Sequence, residues 1–183
     1  MSWFSRDRDE AKIRGPVLVV EGLDVFYGRA HALQGVSLTL DHGVLGIVGR
    51  NGLGKTTLCN AITGLVPARG SVRLFGEEIL GRAPNEITRR GIAYVPQGRR
   101  VWPSLSVDET LRLVARQRRE LVALLTSLPP HMSFVLIEHD LDIALRVVER
   151  VTVMHNGRVL RTGTPAEIEG DAQVQAIYMG SRH

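Results

Sequence analysis

The sequence predicts an α/β fold, a parallel-sheet core carrying a phosphate-binding loop with an antiparallel β-layer beside it. Three observations predict it. A short apolar run, Val44-Leu45-Gly46-Ile47-Val48, leads into Gly49-Arg50-Asn51-Gly52-Leu53-Gly54-Lys55-Thr56-Thr57. That G-x-x-x-x-G-K-T spacing is the P-loop, which sits between a strand and a helix. Further along, apolar runs of strand length alternate with segments of helical period. Ahead of the loop, Val17–Tyr27 and Val36–Leu40 are β-rich stretches punctuated by Gly28, Gly35 and Gly43.

Composition narrows the class. The chain has 183 residues, 44% of them hydrophobic, enough for one good core and a small subdomain. Its formal charge is +4, but the arginines are scattered or paired (Arg89-Arg90, Arg99-Arg100, Arg118-Arg119), with few aromatics among them. That pattern fits a solvated, Arg-rich surface, and no nucleic-acid partner is expected. A lone cysteine, Cys59, excludes a disulfide framework and a cysteine metal cluster. Val17–Val20 is too short for a signal h-region, and no run approaches spanning length. A cytoplasmic protein is expected, with any membrane association made through partners.

Residues 1–15 are polar and charged and are expected to form a loose tail, with one domain over 16–183. Val17–Tyr27, Val36–Leu40 and Ser71–Phe75 are the expected antiparallel strands. After Lys55, Leu58, Ile62 and Leu65 recur at helical spacing, so the loop feeds a helix. Pro84–Arg90 is a short helix with proline near its start. Ile92-Ala93-Tyr94-Val95 has strand length and ends at Pro96-Gln97. Ser106-Val107-Asp108-Glu109 has capping-box spacing, and the pattern from there to Leu128 reads as one long helix stopped by Pro129-Pro130. Phe134–Ile137 is a buried strand running into Glu138-His139-Asp140. A helix with Leu141, Ala144, Leu145 and Val148 on one face follows, and Asp140 is placed to cap it. Asn156-Gly157 between two apolar runs signals a hairpin. Thr164-Pro165-Ala166-Glu167 combines a capping box with proline at the first helical position, and Val174–Met179 reads as a final turn or two of helix.

The loop carries the chemistry. Gly49, Gly52 and Gly54 allow the tight turns that aim successive N–H groups at an anion. Lys55 supplies a point charge toward the outer phosphates, and the Thr56 hydroxyl is placed to ligate Mg²⁺. The chain contains only two lysines, Lys12 and Lys55. A sequence that otherwise uses arginine keeps lysine where a compact ammonium is needed. Tyr27 either offers a ring on which a base stacks or simply packs as a strand tyrosine.

The order of these motifs resembles the ATP-binding subunits of ABC transporters, most nearly the branch that serves importers of branched-chain amino acids. The matches spread over nearly the whole chain. Asp24-Val25-Phe26-Tyr27-Gly28 is similar to the family's adenine-stacking segment, Gly49 to Thr57 to its P-loop, and Gly91 to Arg100 to its Q-loop region. Ile137-Glu138-His139-Asp140 is similar to its switch-histidine segment, and Met154-His155-Asn156-Gly157 and Ile177-Tyr178-Met179-Gly180 to the branch's hairpin and end. The resemblance implies a RecA-like P-loop NTPase core. It implies ATP and Mg²⁺ as cofactors, with the nucleotide held by Tyr27, Gly49, Arg50, Asn51, Gly52, Leu53, Gly54, Lys55, Thr56 and Thr57. Thr56 and Gln97 would hold the metal, Gln97 would also place the attacking water, and His139 would contact the γ-phosphate. The implied partners are membrane permease subunits and a second ATP-binding subunit.

One departure stands out. Between Gln97 and His139 the family carries an LSGGQ-like signature, a strand ending in Asp-Glu (Walker B) and a D-loop, and none is in this sequence. Arg119 runs directly into Glu120-Leu121-Val122-Ala123, which resembles the helix after the D-loop. Several tens of residues are therefore expected to be missing at Arg119/Glu120, taking one core strand and most of the helical subdomain. Phe134–Glu138 fits a metal-binding strand loosely, with Glu138 or Asp140 near Mg²⁺; the alternative is an ordinary strand leading into a helix cap. Without the Asp a metal anchor is lost, and without the Glu the group that polarises water is lost. ATP binding is expected to outlast hydrolysis. Two readings stay open, an importer's ATP-binding subunit and a non-catalytic nucleotide-binding or regulatory remnant of one.

Overall fold

The computed structural model describes residues 15–94, 132–138, 141, 144, 145 and 148–178. These form two four-stranded sheets. The first contains β1 (Leu18–Tyr27), β2 (Ala30–Leu40), β4 (Arg69–Leu74) and β5 (Glu77–Glu78), all antiparallel, in the order β2-β1-β4-β5. The second contains β3 (Val44–Val48), β6 (Phe134–Glu138), β7 (Arg150–His155) and β8 (Arg158–Gly163) in the order β6-β3-β7-β8. There β3 runs parallel to both β6 and β7, and β8 returns antiparallel beside β7. The helices are α1 (Lys55–Ile62), α2 (Pro84–Arg89), α3 (Pro165–Glu169) and α4 (Ala172–Tyr178).

Alternation along β1 and β2 drives the first sheet onto the second. Leu18, Val20, Leu23 and Val25 of β1 and Leu33, Val36, Leu38 and Leu40 of β2 are buried. They form one core with Leu45 and Ile47 of β3, Leu58 and Ile62 of α1, and Met154 of β7. Val48, Val151 and Val153 face the other way, into a second core with Leu141, Ala144, Val148, Ile168 and Val174. Strands β3 and β7 are thus covered on both faces, which explains why they read as continuous apolar runs, as in parallel sheets.

Several elements differ from expectation. Gly35 does not end a strand: β2 runs unbroken from Ala30 to Leu40, and Gly35 sits inside it at φ 66° with its N–H donated to Asp24 Oδ1 at 3.0 Å. An interior strand glycine marks a bulge here, one of several register shifts between β1 and β2. Helix α1 stops at Ile62, leaving Leu65 beyond it and exposed. Gly64, at φ 73°, packs its Cα against the chain at Arg82, which fixes the exit. Ile92–Tyr94 is irregular chain, not strand; Val95 lies outside the described residues, so in the described part this segment lacks the neighbouring strand that would hold it extended. The tail at 1–14, the helix expected from Ser106 to Leu128 with its junction at Arg119/Glu120, and Asp140 also lie outside the described residues.

Two signals correspond only in part: Phe134–Ile137 forms β6 but is half-buried, not buried, and Val148, expected on one helix face with Leu141, Ala144 and Leu145, is not helical. Leu141, Ala144 and Leu145 are helical. Asn156 and Gly157 turn the β7–β8 hairpin at φ 48° and 74°, the left-handed pair that a two-residue turn of this type requires. Thr164 caps α3 through Glu167 N–H, and the Glu167 carboxylate accepts from the Thr164 N–H at 2.8 Å. Among the described residues no helix is long and apolar enough to cross a membrane.

Candidate functional site

The P-loop segment emerges from the carboxyl end of β3, between β6 and β7, where the central strand hands over to α1. Open α/β sheets bind ligands at that end. Two of its glycines are required by close approach. A Cβ on Gly49 would lie 2.9 Å from the Met154 backbone oxygen of β7. A Cβ on Gly54 would lie 2.8 Å from Leu33 Cδ2, and Gly54 also takes φ 99°, outside the usual range of other residues. The loop is therefore pinned between β7 on one side and β2 on the other.

Gly54 is the N-cap of α1, and no side chain caps this end. The first turn of α1 carries no acidic residue either. A helix start leaves backbone N–H groups without intrahelical acceptors and carries partial positive charge. A start with no carboxylate and no hydroxyl cap, entered through a glycine loop, is suited to receive an anion.

Lys55 is the buried charge of the site, only 5% exposed. Its Nζ donates to Gly49 O at 2.5 Å and Arg50 O at 2.9 Å, curling back under the loop. Burial pushes its pKa down, and the carboxylate of Glu138 draws it partway back. Glu138 ends β6 directly opposite Val48 in the parallel register, which puts a carboxylate beside the start of the loop. Of the other loop residues, Arg50, Asn51, Gly52 and Thr56 are exposed, and Leu53, Gly54 and Thr57 half-buried.

Tyr27 ends β1 and is 49% exposed, paired across the hairpin with Ala30. The same hairpin brings Ala32 and Leu33 against Gly54, so the β1–β2 tip forms a wall beside the loop. Phe26 points away from the core side taken by Val25 and stacks on His31, ring centroids 4.1 Å apart. His31 Nε2 and Asp24 Oδ1 lie 2.6 Å apart, and this hydrogen bond holds the Asp24 carboxyl below its ordinary value. The ring stack was readable from hairpin pairing about Gly28-Arg29, which sets Phe26 opposite His31.

The structure thus brings the Gly49–Thr57 loop, Lys55, Glu138 and the Tyr27 hairpin to one end of the molecule. Gln97 and His139 lie outside the described residues. Sequence reasoning did not anticipate that α4 closes on the loop: the Arg50 guanidinium donates to Ile177 O at 2.6 Å. No periodicity or spacing could signal that contact, because 127 residues separate its partners.

Comparison with known proteins gives three kinds of likeness. The profile of the ABC transporter family matches residues 33–170. A high-affinity branched-chain amino acid transport ATP-binding protein, BraG of Pseudomonas aeruginosa, is 38% identical over 99 residues, which is 53% of this chain. The chain spans about two fifths (42%) of the length of BraG. The lipopolysaccharide export system ATP-binding protein LptB of Haemophilus influenzae is 23% identical over 236 aligned positions, covering 91% of this chain and 98% of LptB. Among solved structures, the ADP conformation of an ATP-binding cassette of an ABC transporter superposes with a TM-score of 0.69 at 21% identity, covering 91% of this chain and 99% of that one.

Proposed function

We propose, because this chain belongs to the ABC transporter family, that its Gly49–Thr57 loop binds ATP with Mg²⁺ and that the chain alone does not hydrolyse it. The observation that carries the reading is the buried Lys55 ammonium beneath an uncapped helix start at the end of a central parallel strand. Those residues fit a triphosphate. Backbone N–H groups from Gly49 to Lys55 cradle it, Lys55 neutralises its outer oxygens, and the ring of Tyr27 stacks on adenine. Arg50, Asn51 and Leu53 complete the loop, the Thr56 hydroxyl and Gln97 hold the metal, and His139 contacts the γ-phosphate. When bound, Mg²⁺ draws charge from the β- and γ-oxygens.

The finer reading is an importer subunit that works with membrane permease subunits and a second ATP-binding subunit at the cytoplasmic face of the membrane, energising uptake of branched-chain or related amino acids. The likeness to BraG supports that substrate class.

Hydrolysis needs more than grip. Phosphoryl transfer to water depends on a positioned nucleophile and stabilised charge. Between Gln97 and His139 the sequence holds no LSGGQ-like signature and no run of four apolar residues ending in Asp-Glu. The alignment with LptB runs to 236 positions against 183 residues here, which supports an internal shortening; the sequence pattern alone puts it near Arg119/Glu120. The same shortening favours a second reading, a non-catalytic nucleotide-binding or regulatory remnant of such a subunit. Equilibrium ATP binding and phosphate release by the purified chain test the proposal together. Saturable binding without turnover supports it, and robust Mg²⁺-dependent phosphate release defeats it.

A further inference from the structure

The end of α4 lies on the first turn of the phosphate loop. Ile177 O accepts from the Arg50 guanidinium at 2.6 Å, and a cation against the carbonyl side of a helix suits its dipole. This anchor sets Tyr178 beside Gly49. A Cβ on Gly49 would lie 3.5 Å from the Tyr178 hydroxyl and 3.5 Å from Lys55 Cδ, so the phenol and the lysine flank the same backbone atoms.

The Tyr178 hydroxyl oxygen is buried and, among the described residues, meets no partner at full hydrogen-bond geometry. Burial pushes the phenol up; the facing backbone N–H of Arg50 and the Arg50 charge counter it only in part. The phenol keeps its proton and, among the described residues, finds no acceptor for it. An ammonium has three donors, and Lys55 spends two of them on Gly49 O and Arg50 O. Reaching oxygens on two phosphates takes two donors, so at least one of these carbonyls must be given up. A buried carbonyl left without a donor is costly.

We propose that the Tyr178 hydroxyl takes over a carbonyl of the Gly49–Arg50 turn when Lys55 turns to phosphate, making α4 a positioning element for the nucleotide-bound loop. This rests on the nucleotide site proposed above. The carbonyl exchanges a charge-assisted hydrogen bond from Lys55 for a neutral one from the phenol, and the hydroxyl that is unpartnered in the empty loop is satisfied in the filled one. Tyr178 is a positioning residue, since it acts through the loop backbone and touches no phosphate.

Tyr178→Phe in the full chain tests this, with melting temperature measured without nucleotide and ATP affinity measured by calorimetry. The ring keeps its packing, and an unpaired buried hydroxyl is removed, so the melting temperature without nucleotide is expected to hold or rise. ATP affinity is expected to fall about three- to tenfold, the worth of one neutral hydrogen bond. Unchanged ATP affinity overturns the proposal, and so does a lower melting temperature without nucleotide, which marks a purely structural tyrosine. Arg50→Met, which releases the anchor, should weaken ATP without adding its full effect to Tyr178→Phe; full additivity contradicts the coupling. The unmodified protein is the control for the underlying reading. If it binds no ATP, the nucleotide site itself fails, an outcome separate from a binding protein whose Tyr178→Phe variant is indifferent.

Discussion

Gly49→Ala adds a single methyl group where the loop passes closest to a neighbouring backbone atom. Its Cβ would stand 2.9 Å from Met154 O, where ordinary contact begins at about 3.4 Å, so backbone must yield by about half an ångström. Neither side yields freely: Met154 is fully buried in β7, and Gly49 follows directly on β3. Overpacking of this kind costs about 1–3 kcal/mol. For a chain of this size each kcal/mol moves the melting temperature by about 2–4 °C, so a fall of roughly 2–12 °C is expected. Gly49 opens the loop proposed to cradle the phosphates, so its displacement should also weaken ATP. Gly52→Ala is the control, because its Cβ meets open space and only the φ of 81° is strained. Thermal unfolding by circular dichroism and ATP titration of both variants measure the contrast. If Gly49→Ala melts like the unmodified protein and binds ATP equally well, the close approach to β7 does not constrain the loop.

The remaining predictions concern other parts of the fold. Thr164→Ala removes the hydroxyl that accepts from Glu167 N–H and is expected to cost about 1 kcal/mol by urea denaturation; no change would mean α3 is held by packing of Ile168 alone. Glu167 is held below its ordinary value of 4.5, chiefly by the Thr164 backbone N–H. A depressed carboxyl contributes stability above its unfolded value and loses it as pH falls through the folded one. Glu167→Gln should therefore lower the melting temperature most at neutral pH, with the deficit fading below pH 4.5; a constant deficit would deny the linkage. Cys59 is buried and its thiol is pushed up to about 11, so a thiol reagent at mild alkaline pH should label it only after unfolding; rapid labelling of native protein would show that α1 opens.

Legibility in the sequence followed the range of the physics. The loop, the Asn156-Gly157 hairpin and the Thr164 cap are local: a few residues fix φ angles and donors, so spacing alone carried them. The two faces of β3 and β7 were readable as apolar runs because both faces are covered. Gly35 misled because a glycine frees the backbone equally for a turn and for a bulge, and only pairing with β1 decides between them. Ile92–Tyr94 misled because an apolar run of strand length becomes strand only where a neighbour pairs with it, and among the described residues none does. The contacts that set the site, Arg50 to Ile177, Gly49 to Met154 and Gly54 to Leu33, join distant segments and leave no trace in local pattern. The pair Ile177-Tyr178 could be seen in the sequence, but its seat on the loop could not.

The central claim is that a glycine-lined loop over a buried lysine still holds a triphosphate in this chain. Calorimetric titration of MgATP into the purified protein and into its Lys55→Ala variant tests it most directly. Saturable one-site binding is expected, weakened by Lys55→Ala about tenfold or more through loss of a charge-assisted contact of about 1.5–3 kcal/mol. Absence of binding, or equal affinity in the two proteins, would contradict it.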